Sequence, residues 1–125
     1  MKNLIKKILK EETTNRFIEK VANYLKPPYF INMEGLGLSE DEYPLVFSRI
    51  FNQPVTIEGR SVYNQYGNRI YYEESNGFWS KREYDTNDNL IYDEDSDGFW
   101  TKHEYDTNGN RIYSEDSDGT IIDKR

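Results

Sequence analysis

Cysteine is absent from this chain of 125 residues. Neither a disulfide framework nor a zinc site built on thiolates is available, and the redox compartment leaves no mark on the sequence. Long apolar runs are missing as well, so no segment is expected to cross a bilayer as a helix. The first ten residues, Met1 to Lys10, place lysines among their apolar positions and lack the uninterrupted apolar stretch and small-residue cleavage site of a signal peptide. A cytoplasmic protein is the simplest expectation. Hydrophobic residues are scarce: they make up 35% of the chain, charged residues make up 31%, and mean hydropathy is -0.97. Such values suggest disorder unless something else supplies a core.

Aromatic residues supply it. They account for 15% of the chain, with 11 Tyr and 6 Phe. A tyrosine buries its ring while its hydroxyl stays hydrogen-bonded, so a tyrosine-rich chain folds on fewer aliphatic residues. One domain with a thin core is expected at this length. Charge is divided unevenly. Residues 1–52 carry eight Lys/Arg and seven Asp/Glu, whereas residues 53–125 carry eight and sixteen, a net of -8. The second part should repel nucleic acid and attract basic surfaces.

Periodicity divides the chain at the same place. Leu4, Ile5, Ile8 and Leu9 recur at helical spacing, as do Phe17, Ile18, Val21 and Leu25. The Glu11 to Asn15 stretch between them leaves open whether one helix or two form. Pro27 and Pro28 end the segment, and Tyr29 to Leu38 reads as a connector. Ser39-Glu40-Asp41-Glu42 then has the form of a capping box ahead of a helix whose apolar stripe is Leu45, Val46, Ile50 and Phe51, stopped by Asn52-Gln53-Pro54. Lys2, Lys6, Lys7 and Lys10 beside the first apolar set would suit an anionic membrane surface. Core packing or a partner helix is the better account of so short a segment, and no membrane partner is expected.

From Val55 the period changes to that of strands, and a 21-residue repeat appears: Tyr71, Tyr92 and Tyr113 are equivalent. Its fullest copies run from Arg69 to Tyr84 and from Leu90 to Tyr105. Asn76-Gly77, Asp97-Gly98 and Asp118-Gly119 read as two-residue hairpin turns, and Asp85 to Asn89 and Asp106 to Asn110 as return loops. The expected fold is α+β: N-terminal amphipathic helices over residues 1–52, then over residues 53–125 an antiparallel β-meander of hairpin repeats with six to eight strands, the two packed as one unit. A two-residue turn at Asn76-Gly77 would set Glu74 opposite Trp79 and Tyr72 opposite Lys81. Tyr71, Phe78 and Tyr84 would then share the other face. In the next copy Ile91 and Trp100 would form a stripe on one face, with Tyr92, Phe99 and Tyr105 on the other.

The motif Tyr84-Asp85-Thr-Asn-Asp-Asn89, followed 21 residues later by Tyr105-Asp106-Thr-Asn-Gly-Asn110, resembles the YD repeats of the RHS family. It is also similar to short bacteriophage proteins that carry the same hairpins. The resemblance covers roughly the last 60 residues. It implies the strand-turn-strand unit, with Tyr84 and Tyr105 as the repeat tyrosines and Asp85 and Asp106 opening the return loops. RHS shells enclose toxins with many copies; so few copies without a toxin domain imply no enclosure. A phage-type accessory or counter-defence inhibitor, of the anti-CRISPR kind, acting in the cytoplasm of a bacterial host is what the resemblance suggests for function.

Candidate site residues follow from the hairpins. Trp79, Trp100, Tyr72, Glu74, Asp93 and Asp95 form an acidic, aromatic surface suited to a basic protein, since aromatic anchors dominate interface energetics. The competing account is that these rings only stabilise the sheet through cross-strand packing. Asp93, Asp95, Asp97 and Glu104, with Gly98, have the spacing of an EF-hand calcium loop. They lie inside a strand repeat, however, and a plain turn with hydrated carboxylates is the stronger reading. His103 aligns with Arg82 of the preceding copy, which favours a sheet-surface position over a catalytic base. Gly35-Leu-Gly37 lacks the lysine and preceding strand of a phosphate loop. No nucleophile elbow is present. A non-catalytic protein without a cofactor is therefore expected, with a protein partner. The alternatives are a self-assembling structural module and a calcium- or glycan-binding module, the latter using the Trp79 and Trp100 rings.

Overall fold

The computed structural model describes residues 16–125. The amphipathic set Leu4, Ile5, Ile8 and Leu9 lies outside the described residues, as do the four lysines beside it. The chain divides into two compact units, Met1–Val55 and Thr56–Arg125; the change of sequence period after residue 52 falls close to that boundary.

In the first unit, residues 16–24 are helical (α1), with Ile18 and Ala22 buried. The segment read as a connector holds a short helix, Tyr29–Met33 (α2), that buries Tyr29, Phe30 and Met33. Their spacing sets three apolar side chains on one side of a single turn, and burial decides the structure where propensity does not. A 3-10 turn, Glu40–Glu42, leads into Tyr43–Phe51 (α3). The Glu42 carboxylate accepts from both the backbone N–H and the hydroxyl of Ser39, at 3.1 and 3.0 Å. Glu42 thus reaches back to Ser39 as the capping box requires, and the motif read from the sequence is present. Asn52 ends α3 in the left-handed region, at φ 53°. Phe47, not Leu45, fills the centre: it is fully buried, while Leu45 is 43% exposed. Phe47 lies edge-on to Tyr29, with ring centroids 5.9 Å apart, and 4.8 Å from Phe30.

The second unit is a single antiparallel sheet whose eight strands lie in chain order. They are Val55–Glu58 (β1), Ser61–Asn64 (β2), Arg69–Glu73 (β3), Trp79–Tyr84 (β4), Leu90–Asp95 (β5), Trp100–Tyr105 (β6), Arg111–Asp116 (β7) and Ile121–Asp123 (β8). The α+β class and the meander are as the repeat indicates. Its deepest side chains are Val62, Ile70 and Tyr71, together with Asn64, Glu73 and Ser80, and β8 is exposed throughout.

From β2 onward six turns share one geometry. Residues Asn64, Glu74, Asp85, Asp95, Asp106 and Asp116 each donate their N–H to the carbonyl four residues on, at 2.7 to 3.1 Å, and accept from the N–H three residues on. These are three-residue loops, a tight turn closed by a residue of positive φ. That residue is glycine in five turns, and Asp88, at φ 64°, in the sixth. The two-residue turn inferred at Asn76-Gly77 is therefore replaced by a loop one residue longer. Pairing slides by one residue: Glu73 lies opposite Trp79, Tyr72 opposite Ser80 and Tyr71 opposite Lys81. Side chains within the loops favour the longer form, and in this turn the Asn76 Oδ1 accepts the N–H of Phe78. In the other five turns a short Asx side chain at the first loop position accepts the N–H groups two and four residues on: Asn64, Asp85, Asp95, Asp106 and Asp116. These bonds stabilise the longer loop over the two-residue alternative.

A repeat of odd length creates a problem of parity, because side chains alternate faces with period two. The sheet solves it with one irregularity per repeat. Val62 pairs with Tyr71 and Tyr63 with Arg69, so Ile70 has no partner opposite. Ile91 and Ile112 are bypassed in the same way on β5 and β7. Each bulge absorbs one residue and returns Tyr71, Tyr92 and Tyr113 to the same face.

Candidate functional site

Pairing places the chemistry of the repeat on two contrasting faces. One face, the tryptophan face, carries Tyr71 and Glu73 on β3, Trp79, Lys81 and Glu83 on β4, and Tyr92 and Glu94 on β5. It continues with Trp100, Lys102 and Glu104 on β6, Tyr113 and Glu115 on β7, and Ile121 and Asp123 on β8. Trp100 stands opposite Glu94, next to Tyr92. The expected separation of a tryptophan stripe from Tyr71 and Tyr92 is thus overturned by the three-residue loops, and Ile91 is not the neighbour of Trp100 on that stripe.

Three bonds recur along this face. The hydroxyls of Tyr71, Tyr92 and Tyr113 donate to the carboxylates two residues on: Glu73 at 2.5 Å, Glu94 at 3.3 Å and Glu115 at 3.1 Å. Each carboxylate is thereby held beside a ring. The ammonium groups of Lys81 and Lys102 lie over the rings of Trp79 and Trp100, 5.4 and 5.1 Å from the centroids, within cation-π range. The signal for both contacts was present in the sequence as Tyr-x-Glu and Trp-x-Lys, since residues two apart on a strand share a face. Tyr92 and Tyr113 hold their protons more tightly than a free phenol. Burial is the main cause for both, followed by the Glu94 charge for Tyr92 and the bond to Glu115 for Tyr113.

At the far end of this face the side chain of Arg125 lies 4.1 Å from the ring centroid of Tyr113. Its guanidinium donates to Glu104 at 3.0 Å and to both oxygens of Asp123 at 3.1 Å. The bond to Arg125 holds the Asp123 carboxyl below the usual range. Arg125, Tyr113, Glu104, Lys102, Tyr92 and Glu83 line an open groove of 720 Å³ beside the bulges.

The opposite face, the aspartate face, carries Tyr72, Ser80, Arg82, Asp93, Asp95, Thr101, His103 and Ser114. The guanidinium of Arg69 lies 4.4 Å over the Tyr72 ring. Arg82 Nε is 3.7 Å from an Asp93 oxygen, an ion-pair contact too long for a hydrogen bond. Burial raises the Asp93 carboxyl above its ordinary value, with Arg82 acting against it. Burial likewise depresses His103, assisted by the Arg111 charge and opposed by Asp93. His103 is on the sheet surface opposite Ser114, where its alignment with Arg82 put it.

The inferred surface residues are therefore split. Trp79 and Trp100 share the tryptophan face, whereas Tyr72, Asp93 and Asp95 belong to the aspartate face and Glu74 opens a turn. The calcium set is not brought together either. Asp95 Oδ1 is engaged by the N–H groups of Asp97 and Phe99, Asp93 is beside Arg82, and Glu104 binds Arg125 on the other face. Among the described residues no group of three or more His, Asp or Glu side chains is placed to hold a metal ion. None of the described helices is long and apolar enough to cross a membrane.

No protein-family model and no curated protein matches this chain.

Proposed function

We infer that this chain is a non-catalytic protein-binding module whose tryptophan face takes a basic host protein in the bacterial cytoplasm. One observation carries the inference. Two half-exposed tryptophans, Tyr92 and Tyr113 are interleaved on one face with Glu83, Glu94, Glu104, Glu115 and Asp123, on a unit of net charge -8. Aromatic rings supply contact area at low entropic cost, and the carboxylates steer and orient a cationic partner. Nucleic acid is disfavoured by the same charge. Lysine ammonium groups over Trp79 and Trp100 occupy ring faces on which a sugar would stack, which favours a protein over a glycan. A phage-type counter-defence inhibitor is the role that the repeat resemblance adds.

Affinity capture from bacterial lysate tests the inference. A basic protein retained at low salt and released at high salt supports it, because exposed charge contacts weaken as the Debye length shrinks. Enrichment of no protein at low salt contradicts it.

Self-association is a second reading, favoured by β8. This edge strand exposes Ile121 and Ile122, at 58% and 47%, and an exposed apolar edge invites pairing. Light scattering over a wide concentration range distinguishes the readings: a strict monomer removes this one.

A further inference from the structure

We propose that the groove between Tyr92 and Tyr113 is a guanidinium seat that reads arginine side chains of a basic protein, and that Arg125 occupies half of it in the free protein. The proposal rests on the protein-binding reading above and specifies the chemistry of the partner. Arg125 shows what the surface recognises. Its planar group is stacked 4.1 Å over Tyr113 and forked between Glu104 and Asp123. Stacking on a ring combined with in-plane donation to carboxylates suits arginine and not lysine, whose ammonium is a compact point charge.

The neighbouring position repeats part of this arrangement. Tyr92 is the repeat equivalent of Tyr113, and it lies directly across from Glu83 as Tyr113 lies across from Glu104. Glu83 is exposed. Lys102, on the other side of Tyr92, is drawn over the Trp100 ring. Among the described residues no cation lies over the ring of Tyr92. Equivalent tyrosines are two strands apart, about 9 to 10 Å, so one partner segment can address both. A partner arginine takes the Tyr92 position first, through Glu83 and Glu104, and a second displaces Arg125 from Tyr113. Arg125 thereby acts as an internal competitor that sets the threshold for binding.

Calorimetric titration with hexa-arginine and hexa-lysine peptides, at one ionic strength, tests the seat. The wild-type protein should bind hexa-arginine roughly two- to fivefold more tightly than hexa-lysine, the range for an exposed cation-π contact. Arg125→Lys keeps the net charge but removes the internal guanidinium, and it should widen that ratio. Glu83→Gln, at an exposed position, should narrow it. Equal affinity for both peptides, unchanged by either substitution, overturns the guanidinium seat while leaving charge-driven binding standing. Failure of both peptides to bind removes the seat together with the protein-binding reading beneath it.

Discussion

Glu73 and Trp79 face each other directly across β3 and β4, and this pairing sets the arrangement of the whole tryptophan face. It exists because the loop between them contains one residue more than an Asn-Gly turn requires. The same offset recurs at Glu94 and Trp100. The aromatic rings and carboxylates are thus gathered on one surface by turn geometry.

The turns should be sensitive to loss of positive φ. Gly98 and Gly109 have φ values of 86° and 82°, and a β-carbon at either would meet nothing within 4 Å. Strain alone then sets the effect. Gly98→Ala and Gly109→Ala should each lower stability by about 1 to 2 kcal/mol. Chemical denaturation with an unchanged m-value checks this, and an effect near zero would contradict the turn assignment.

Tyr71 is 1% exposed and its hydroxyl donates to Glu73, itself 4% exposed. The Arg60 guanidinium also lies 3.7 Å from that carboxylate. Tyr71→Phe weakens the satisfaction of a buried charge and should destabilise by about 1 to 3 kcal/mol. Denaturant midpoints measure it. An unchanged midpoint would show that the hydroxyl bond contributes nothing.

Legibility in the sequence followed from periodicity and failed at single-residue offsets. The helices at residues 16–24 and Tyr43–Phe51, the strand order and the repeat length could be read because burial imposes its period on apolar residues, whereas the single turn Tyr29–Met33 was too short to show one. The faces could not, since a two-residue and a three-residue loop present the same Asp-Gly or Asn-Gly signal, and one residue of slip exchanges the faces. Asp95 holds the distinguishing information: its side chain caps N–H groups two and four residues on, and the equivalent positions 64, 85, 106 and 116 are all Asn or Asp. The bulges at Ile70, Ile91 and Ile112 were implicit in the odd repeat length. The seat of Arg125 was invisible, because no local pattern ties it to Glu104 across a neighbouring strand.

Acid should loosen the return loops. The backbone N–H of Asn110, as the largest influence, holds the Asp106 carboxyl below its ordinary range, and Asn89 does the same for Asp85. With a folded value below the unfolded value of about 3.9, the contribution is full above that value and lost as pH falls through the folded one. Asp106→Asn retains the acceptor, as Asn64 does in its own turn, so its thermal midpoint should fall less in acid than that of wild type. Asp106→Ala should be less stable than Asp106→Asn at neutral pH. Equal midpoints for the two variants would contradict the capping role.

His103 should titrate below a free imidazole. Burial and the Arg111 charge outweigh Asp93, so the unfolded chain takes up the proton first as pH falls. The contribution is full above the unfolded value of about 6.5 and lost as pH falls through the folded one. Nuclear magnetic resonance titration of the imidazole measures the shift, and His103→Gln should remove that segment of the stability profile. A value at or above that of a free imidazole would contradict the burial on this face.

The central claim is that partner binding belongs to the tryptophan face. Parallel capture from bacterial lysate with wild type, a Trp79→Ala/Trp100→Ala double variant and Tyr72→Ala, each confirmed as folded by circular dichroism, tests it most directly. The expected result is a basic protein retained by wild type and by Tyr72→Ala and lost from the double variant. Retention by the double variant with loss from Tyr72→Ala would place binding on the aspartate face and contradict the account.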